Sequence, residues 1–299
     1  MGRVVVIGLG AMGLGAAQSL HRAGLNVVGV DVTEATRARF AESGAVAMES
    51  PREAAHGADA VVVLVVNAAQ TREVLFGDRG AATALGKGSV VISCATMSPQ
   101  DARALASECR DRGLHYLDAP VSGGSVRAAE GSLTVMASGT PEAFDAAADV
   151  LAAMAATTYH LGDEAGIGSS FKIVNQLLAG VHIAAACEAI TFAAKLGLDL
   201  AKVYEVITKS AGNSWMFENR IPHVLADDYT PKSAVNIFTK DLGIVAAIGQ
   251  REQFPLPIAS LALQLFTATA ASGMGKDDDS SVARFMASAG GVTLPKKDR

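Results

Sequence analysis

Short apolar runs rich in valine alternate with alanine-rich segments through the first half of the chain, and this alternation restricts the folds open to it. Each run is too short for an isolated helix and fits a strand that is buried on both faces of a sheet. The runs are residues 4–7, 26–30, 60–66, 89–93, 115–117 and 133–137. Helical segments such as 12–23 and 99–112 lie between them. This pattern predicts parallel βαβ units, and we expect a doubly wound, Rossmann-type α/β sheet.

The sequence changes character after about residue 160, where the valine-rich runs give way to long segments with helical spacing. These segments are 169–196, 200–210, 241–250 and 257–272. A chain of 299 residues is long enough for two domains. We therefore predict an α/β domain over residues 1–162 and an all-helical domain over residues 163–299.

Composition argues against several classes of function. The formal net charge is −5 and no basic stripe is interleaved with aromatic residues, so nucleic acid is not expected as a partner. The cysteines Cys94, Cys109 and Cys187 are widely spaced, which favours reduced thiols in the cytoplasm over disulfides or a zinc site. The six histidines form no metal-ligand pair, and we expect no metal.

Two other segments have ordinary structural interpretations. The longest apolar stretch, 179–194, is interrupted by His182 and Glu188, which favours a buried helix over a membrane span. The acidic segment 277–280 is interpreted as a solvated loop and helix cap, because nothing nearby completes a set of metal ligands. We therefore expect neither a membrane partner nor a metal centre here.

The segment after the first predicted strand carries a dinucleotide-binding pattern. Gly8-Leu9-Gly10-Ala11-Met12-Gly13 fits G-x-G-x-x-G, opens a predicted helix, and precedes an acid, Asp31, at the end of the next strand. Gly8 permits a tight turn, Gly10 lets the backbone approach a pyrophosphate, and Gly13 lets helix and strand pack closely. The helix N-terminus would bind the phosphates. A strand–turn–helix with purely structural glycines is the alternative.

Asp31 favours NAD as the cofactor. Its carboxylate would accept hydrogen bonds from ribose hydroxyls and would repel the 2′-phosphate of NADP. The nearest basic residue, Arg37, lies at least a turn into the following helix.

A second glycine-containing turn follows the predicted strand 115–117. In Asp118-Ala119-Pro120-Val121-Ser122-Gly123-Gly124, the proline fixes one φ and the two glycines free the last two. Consecutive N–H groups in such a turn can form a concave anion site, to which the Ser122 hydroxyl adds a donor. A carboxylate would suit this site, and a tight turn without a ligand is the alternative.

Polar residues near the start of the first long helix share one face. Lys172, Asn175 and Gln176 are spaced three and four residues apart. They are either functional or a surface stripe with amides that cap a neighbouring backbone. Lys240, in the segment Lys240-Asp241-Leu242-Gly243, is either functional or simply exposed at a helix start.

Taken together, these motifs resemble the β-hydroxyacid dehydrogenase family, which includes 3-hydroxyisobutyrate dehydrogenase. The matching segments are 8–13, 118–124, 168–175 and 240–243, and they follow the family's order. Within the family, segments 65–70, 176–184, 211–220 and 228–231 are most similar to the branch that oxidises L-threonate.

The resemblance implies a role for each motif. Lys172 falls on the family's catalytic lysine, and Ser122-Gly123-Gly124 falls on its substrate-carboxylate loop. Asn175 and Gln176 are expected to bind substrate, although Gln176 stands where the family usually has asparagine, which implies a reshaped pocket. Besides the glycine pattern and Asp31, the expected cofactor contacts are Val66, Asn67, Thr96 and Lys240.

The expected activity is the NAD-dependent oxidation of a small hydroxy acid, with L-threonate as the first choice and the 2-oxo acid as product. Lys172 would act as general acid and base; an ordinary lysine is a poor base at neutral pH, so water must be excluded. The alternatives are 3-hydroxyisobutyrate oxidation, reduction of tartronate or succinic semialdehyde, and a non-catalytic dinucleotide-binding protein. The alanine-rich helix needs more cover than one small domain offers, which predicts a homodimer or homotetramer.

Overall fold

The computed structural model describes residues 2–297, which fall into two compact units. The first unit ends at Ile173 and the second begins at Val174. This division lies after the predicted boundary at residue 162, because the first turn of a long helix is hydrogen-bonded to the first unit. The N–H groups of Gly166 and Ser169 both donate to the carboxylate of Asp118.

The first unit is built on a six-stranded parallel sheet in the order β3-β2-β1-β4-β5-β6. This is the strand order of the doubly wound nucleotide-binding fold, so the predicted Rossmann-type architecture is confirmed. The strands are β1 (Arg3–Ile7), β2 (Asn26–Val30), β3 (Val46–Met48), β4 (Ala58–Val63), β5 (Val90–Ser93) and β6 (His115–Asp118).

Strand β1 lies at the centre of this sheet, where Val5 is opposite Val28 of β2 and Val61 of β4. Val5 packs into the core on one face, and its neighbours Val4 and Val6 pack into the core on the other. All of these side chains are buried. Because helices cover both faces, an uninterrupted apolar run is completely withdrawn from water, as the sequence predicts.

Two strand predictions for the parallel sheet need correction. The predicted strand 60–66 ends at Val63, and residues 64–66 form a loop in which Val66 is exposed. The short strand β3 is missing from the sequence-based prediction, because it has only three residues, of which Val46 is exposed and the other two are partly buried.

The helices of the first unit begin at positions that the sequence marks. They are α1 (Ala11–Arg22), α2 (Glu34–Ala41), α3 (Pro51–Ala54), α4 (Ala68–Phe76), α5 (Pro99–Arg110), α6 (Gly124–Glu130) and α7 (Pro141–Met154). In α5, for example, the Ser98 hydroxyl accepts the Asp101 N–H at 3.1 Å and Pro99 occupies the first helical position. The chain leaves α5 through Gly113, whose φ is +73°.

A second, three-stranded sheet completes the first unit. It contains β7 (Val121–Ser122), β8 (Leu133–Ala137) and β9 (Ala155–His160) in that order. The predicted strand 133–137 is therefore a strand, but its expected place in the parallel sheet is wrong. It pairs antiparallel with β7, because the short helix α6 only reverses the chain between them.

The second unit is helical, as predicted. Its helices are the rest of α8 (Ile167–Lys195), α9 (Leu200–Ile207), α10 (Trp215–Leu225), α11 (Val235–Arg251), α12 (Pro257–Thr269) and α13 (Val282–Gly290). Ile183 and Cys187 of α8 are buried with aromatic side chains such as Phe238 and Phe266. Since α11 begins at Val235 and not near residue 241, Lys240 lies inside a helix and not at its start.

Helix α8 is long and apolar enough to cross a membrane by length and composition alone. However, half of its most apolar window is buried inside the protein, and the polar side chains of Ser169 and Thr191 are buried on it as well. This burial is typical of the core helix of a soluble protein, which agrees with the interpretation of segment 179–194.

The acidic segment 277–280 is a helix cap, as predicted, but the prediction that it is solvated is wrong. Asp278 and Asp279 are completely buried. Asp279 forms an ion pair with Arg220 at 2.5 Å, and Asp278 is hydrogen-bonded to His223 at 2.9 Å. Burial raises the pKa of Asp279 to about 6 in spite of the opposing charge of Arg220. Burial also tends to raise the pKa of Asp278, but the bonds with His223 and Ser280 outweigh it and lower that pKa to about 2.

We predict that Arg220→Leu destabilises the second unit by about 3–5 kcal/mol at pH 8, because it leaves the Asp279 carboxylate buried without its partner. The loss should be smaller at pH 5. The pKa of Asp279 is higher in the folded protein than in the unfolded chain, so its ionised carboxylate destabilises the fold. This destabilisation is complete at pH values above the folded-state pKa, and it becomes smaller as the pH falls towards the pKa of the unfolded chain, because the carboxyl group is then protonated. Urea unfolding can be followed by the fluorescence of Trp215, the only tryptophan.

Lys202→Leu is the matched control, because Lys202 pairs with Glu205 on the surface of the same unit at 2.8 Å. It should cost no more than about 1 kcal/mol. Equal losses in the two variants, or a loss in Arg220→Leu that does not change with pH, would contradict the prediction.

Candidate functional site

The turn between β1 and α1 needs glycine at two positions for reasons internal to the protein. Gly8 has a φ of +92°, and a Cβ on it would lie 2.8 Å from the carbonyl oxygen of Leu64. A Cβ on Gly13 would lie 1.7 Å from the carbonyl oxygen of Gly8. The tight turn and the close helix–strand approach predicted from the glycine pattern are thus both present.

Gly10 is different, because the space around it is open. A Cβ placed on Gly10 would meet no described protein atom within 4 Å. Gly10 is also the N-cap of α1, and no side chain in residues 2–297 caps that helix end. This helix N-terminus has no side-chain cap, and the space next to its backbone is open. Both features suit a pyrophosphate, which would neutralise the positive end of the helix dipole and accept hydrogen bonds from the backbone N–H groups. The residues present therefore fit a dinucleotide.

Asp31 follows the adjacent strand β2 and contacts this turn directly. Its carboxylate accepts the N–H of Leu9 at 2.9 Å and that of Thr33 at 2.8 Å. A carboxylate has about four acceptor positions, so capacity remains for the hydroxyls of a ribose. The guanidinium of Arg37 reaches back to the carbonyl oxygens of Asp31 and Val32 at 2.8 and 3.0 Å, closer to this acid than its place in the sequence indicates.

The other expected cofactor contacts in the first unit follow strands at the same edge of the sheet. Val66 and Asn67 follow β4, and the half-buried Thr96 follows β5. The strand order reverses between β1 and β4, which is where open α/β sheets bind their ligands. Asn67 also has a structural role that the motif does not reveal, because its side chain caps α4 by accepting the Gln70 N–H at 2.8 Å.

The turn Ser122-Gly123-Gly124 has the backbone conformation expected of an anion-binding turn. Gly123 and Gly124 have φ values of +134° and +76°, which side chains with a Cβ rarely adopt. Ser122 is partly exposed and ends β7. Consecutive backbone N–H groups and a hydroxyl are therefore available in one short segment.

Asp118 stands at the start of this motif, and its carboxylate accepts more hydrogen bonds than that of Asp31, the other acid in the motifs of the first unit. Only 1% of Asp118 is exposed. One carboxylate oxygen accepts the N–H groups of Gly166 and Ser169, each at 2.8 Å, and the other accepts the Ser169 hydroxyl at 2.7 Å. Burial raises the pKa of Asp118, while the bonds from Ser169, Gly166 and Ser138 oppose this rise. The carboxylate joins the end of β6 to the start of α8.

Lys172 lies on α8, one turn after Ser169. It is only 7% exposed, so the interpretation of Lys172 as part of a surface stripe is wrong. Lysine is rarely buried to this extent unless its ammonium group is paired. Lys172 belongs to the first unit, as do the glycine turns and Asp31.

The remaining expected residues belong to the second unit and form one polar cluster around Asp241. The Gln176 amide nitrogen donates to one oxygen of Asp241 at 2.5 Å, and the ammonium of Lys240 pairs with the other at 2.5 Å. The Asn175 amide donates to the Gln176 carbonyl at 2.9 Å. Gln176 and Asp241 are buried, and Lys240 is about four-fifths buried. The alternative in which Lys240 is an exposed helix-start residue is therefore wrong.

Sequence reasoning missed the two acids that organise these groups. Both acids lie inside the motifs: Asp118 is four residues before Ser122, and Asp241 directly follows Lys240. Their positions in the motifs could therefore have identified them as candidate site residues. Ser138 and Ser169 gave no such signal, because each contact joins residues that are distant in the sequence.

Comparisons with known proteins agree with this architecture. Residues 3–162 match the model of the NAD-binding domain of 6-phosphogluconate dehydrogenase, and residues 166–286 match the NAD-binding domain of NADP-dependent 3-hydroxyisobutyrate dehydrogenase. L-Threonate dehydrogenase from Cupriavidus necator is 52% identical over 98% of this chain and 97% of its own length. The same enzyme from Escherichia coli K12 is 50% identical over 98% and 96%.

A solved structure is similar over nearly the whole chain. The crystal structure of 3-hydroxyisobutyrate dehydrogenase from Salmonella typhimurium is 50% identical, has a TM-score of 0.91, and covers 95% of this chain and 100% of its own. Fold, cofactor turn and relatives together define an NAD-dependent dehydrogenase of hydroxy acids. Within that class, the chain belongs to the 3-hydroxyisobutyrate dehydrogenase-like family of β-hydroxyacid dehydrogenases.

We predict that Gly10→Ala weakens NADH binding by about tenfold or more while leaving the melting temperature unchanged, because its methyl group would enter the open space that the pyrophosphate needs. The φ of Gly10, −65°, is ordinary for alanine. Gly13→Ala is the comparison variant: its methyl group would collide with the Gly8 carbonyl, so stability should fall as well.

Calorimetric titration with NADH and thermal unfolding of both variants measure the two effects separately. If Gly10→Ala bound NADH normally, the pyrophosphate would have to lie elsewhere. If it were destabilised as much as Gly13→Ala, the open space would be an incorrect description of the turn.

Proposed function

We propose that this protein oxidises L-threonate to the corresponding 2-oxo acid with NAD. The observation that carries the proposal is the group of relatives named L-threonate dehydrogenase, which are 48–52% identical over 98% of the chain. By contrast, the 2-(hydroxymethyl)glutarate dehydrogenase of Eubacterium barkeri is 33% identical.

A second candidate is 3-hydroxyisobutyrate oxidation. The structure from Salmonella typhimurium, which is 50% identical, carries that name. Reduction of tartronate or succinic semialdehyde would use the same residues in the opposite direction.

In this proposal the Ser122-Gly123-Gly124 turn binds the substrate carboxylate. Two glycines with positive φ and a partly exposed hydroxyl support that role, because they provide adjacent donors without a Cβ to block the approach. Neutral backbone donors fix the acid end of the substrate and therefore orient the hydroxyl-bearing carbon.

Lys172 is the proposed general acid and base. Its Nζ takes the proton of the substrate hydroxyl, and the burial of Lys172 keeps bulk water from competing for that proton. NAD held at the glycine turn would supply the hydride acceptor for the same carbon. Loss of the C–H and O–H hydrogens then leaves the carbonyl product, NADH and a protonated Lys172, so the step balances when Lys172 starts as the neutral amine. In the reverse direction the ammonium of Lys172 donates the proton to the developing alkoxide.

Asn175 and Gln176 are proposed to contact the remaining hydroxyls of the substrate. Each polar group of the Gln176 amide already has one protein partner, so its orientation is fixed. An amide still has a second N–H and a second carbonyl lone pair, which suits a ligand rich in hydroxyl groups.

The preference for NAD over NADP is proposed from Asp31, whose negative charge lies beside the glycine turn. Val66, Asn67, Thr96 and Lys240 are proposed as further cofactor contacts. Arg37 is tied to backbone carbonyls, which supports its role as a structural group and not as a phosphate ligand.

We predict that the wild-type protein reduces NAD with L-threonate, and that Lys172→Ala lowers turnover by about 10²–10⁴-fold without loss of NADH binding, because only proton transfer is removed. The assay is NADH absorbance with a panel of C3 to C5 hydroxy acids, with NADP in parallel. Lys87→Ala is the control, since Lys87 is an exposed lysine of the same unit.

Turnover of 3-hydroxyisobutyrate alone would support the second candidate. Near-normal turnover by Lys172→Ala would remove Lys172 from the proposed role. NADH binding without any turnover would favour a non-catalytic protein.

We also propose that the protein is a cytoplasmic homodimer or homotetramer, and that a second copy covers α8. The support is an exposed apolar stripe formed by Val174, Leu178 and Phe192 of α8 and by Leu196, which directly follows it, each 49–62% exposed. Large apolar side chains spaced along one helix are costly to leave in water. Cys94, Cys109 and Cys187 are buried free thiols, which agrees with a reducing compartment.

We predict that the double variant Leu178→Glu, Phe192→Glu is monomeric, because it would bury two charges in the contact between copies. Size-exclusion chromatography with light scattering measures the mass. The control places the same charge at Leu261, which is equally exposed but lies on α12. A monomeric wild-type protein, or an oligomer that the double variant leaves intact, would contradict the proposed interface.

A further inference from the structure

We propose that Asp118 is a positioning residue of the reaction: its buried carboxylate fixes the start of α8, and therefore Lys172, relative to the Ser122-Gly123-Gly124 turn. This inference rests on the proposed function, because it concerns where Lys172 stands when it exchanges a proton with the substrate.

The carboxylate holds the first turn of α8 at three donors. It accepts the N–H groups of Gly166 and Ser169 at 2.8 Å and the hydroxyl of Ser169 at 2.7 Å. Three contacts from one carboxylate restrain both the position of the helix end and its rotation about its axis. Lys172 follows Ser169 by three residues, about 4.5 Å along the axis, so movement of this turn moves Lys172 with it.

The backbone of Asp118 is itself fixed. Its N–H and C=O exchange hydrogen bonds with Ser138 of the chain after β8, at 3.0 and 2.8 Å. The anion-binding turn begins four residues after Asp118 along the chain. One residue is therefore joined covalently to the proposed substrate turn and by hydrogen bonds to the helix of the proposed base.

Two further contacts hold the same helix end. The Ser138 hydroxyl accepts the N–H of Gly168 at 2.9 Å. A Cβ on Gly168 would lie 2.3 Å from the carbonyl oxygen of Met136 and 2.8 Å from that of Asp118. The helix thus starts in direct contact with the strand backbones, which leaves it little room to shift.

The need to cap the N-terminus of α8 does not explain why a buried carboxylate from a distant strand, that of Asp118, is used for it. Helices α5, α7, α9 and α10 are capped by the side chain of the residue immediately before them, namely Ser98, Thr140, Asp199 and Ser214. Such local caps satisfy the N–H groups without burying a distant charge. The acceptor for α8 comes instead from a strand 48 to 51 residues earlier, and burial opposes its ionisation. The carboxylate of Asp118 also fixes the position of the start of α8 relative to β6, which a local cap would not do.

The test is Asp118→Asn. Asparagine has nearly the same shape, but it is uncharged and has only one acceptor atom. Its carbonyl oxygen can accept the N–H groups of Gly166 and Ser169 less strongly than a carboxylate, and the Ser169 hydroxyl would have to turn and accept from the amide nitrogen. We expect kcat to fall roughly 10- to 100-fold, since displacement of about 1 Å costs that much in an oriented reaction. KM for NAD should not change. Substrate deuterated at the reacting carbon should give a larger isotope effect on kcat than in the wild type, because the chemical step becomes limiting.

Asp278→Asn is the matched control, because Asp278 is also a completely buried carboxylate that caps a helical segment, in the second unit. It should lower stability but leave kcat per folded molecule and the isotope effect unchanged. If Asp118→Asn behaved in the same way, Asp118 would be only structural and the inference would be overturned.

Ser169→Ala and Ser138→Ala each remove one hydroxyl and should give smaller losses of kcat with the same isotope signature. They decide the question if Asp118→Asn does not fold: normal kcat in both would overturn the inference. If the wild type turned over no hydroxy acid, the proposed function would fail separately. Amide hydrogen exchange of residues 166–173 would then test whether Asp118 fixes the start of α8. Faster exchange in the variants would support this role, and unchanged exchange would overturn it.

Discussion

The pairing of β1 between β2 and β4 is the constraint on which the rest of the first unit depends. Parallel strands end at the same edge, so this pairing brings the glycine turn after β1 beside Asp31 after β2 and beside Leu64 and Val65 after β4. The buried valines on both faces fix the register, because a shift by one residue would exchange the two cores. The contact between Asp31 and Leu9 follows from this register and not from any local preference of either residue.

The same reasoning explains what the sequence could predict. Apolar runs, glycine patterns and cap residues are local signals. They place the central strands and the Rossmann-type sheet correctly, and of the six helical segments that they predict, all but α11 start within two residues of the helix in the structure. Residues 133–137 show the limit: their apolar run predicts a strand, but only the short return through α6 determines which sheet receives it. Likewise Asp278 and Asp279 look like a solvated loop, because nothing in their neighbourhood indicates that Arg220 and His223 will cover them.

In the candidate site, too, some residues could be predicted from local sequence signals and others only from long-range contacts. Residue types in motifs indicated Lys172, Ser122 and Lys240, since their chemistry is recognisable from the sequence alone. The carboxylates that fix such groups, Asp118 and Asp241, form contacts over 48 to 65 residues of chain, and only the folded protein brings those contacts together. Buried acids are costly unless several donors surround them. The donors to Asp118 come from other secondary-structure elements, whereas Asp241 contacts Gln176 of α8 and Lys240 of its own helix.

Gln176 shows how one methylene group changes such a network. An asparagine at this position would place its amide about 1.5 Å nearer to the α8 backbone, too short to donate to Asp241 at 2.5 Å without movement of a helix. The contact therefore requires glutamine, and it joins α8 to α11, which also approach closely where Gly180 faces Leu242. Because the other oxygen of Asp241 pairs with Lys240, the longer side chain also restrains that lysine. A change of the Gln176 side chain would therefore affect Asn175, Asp241 and Lys240 together and not a single contact.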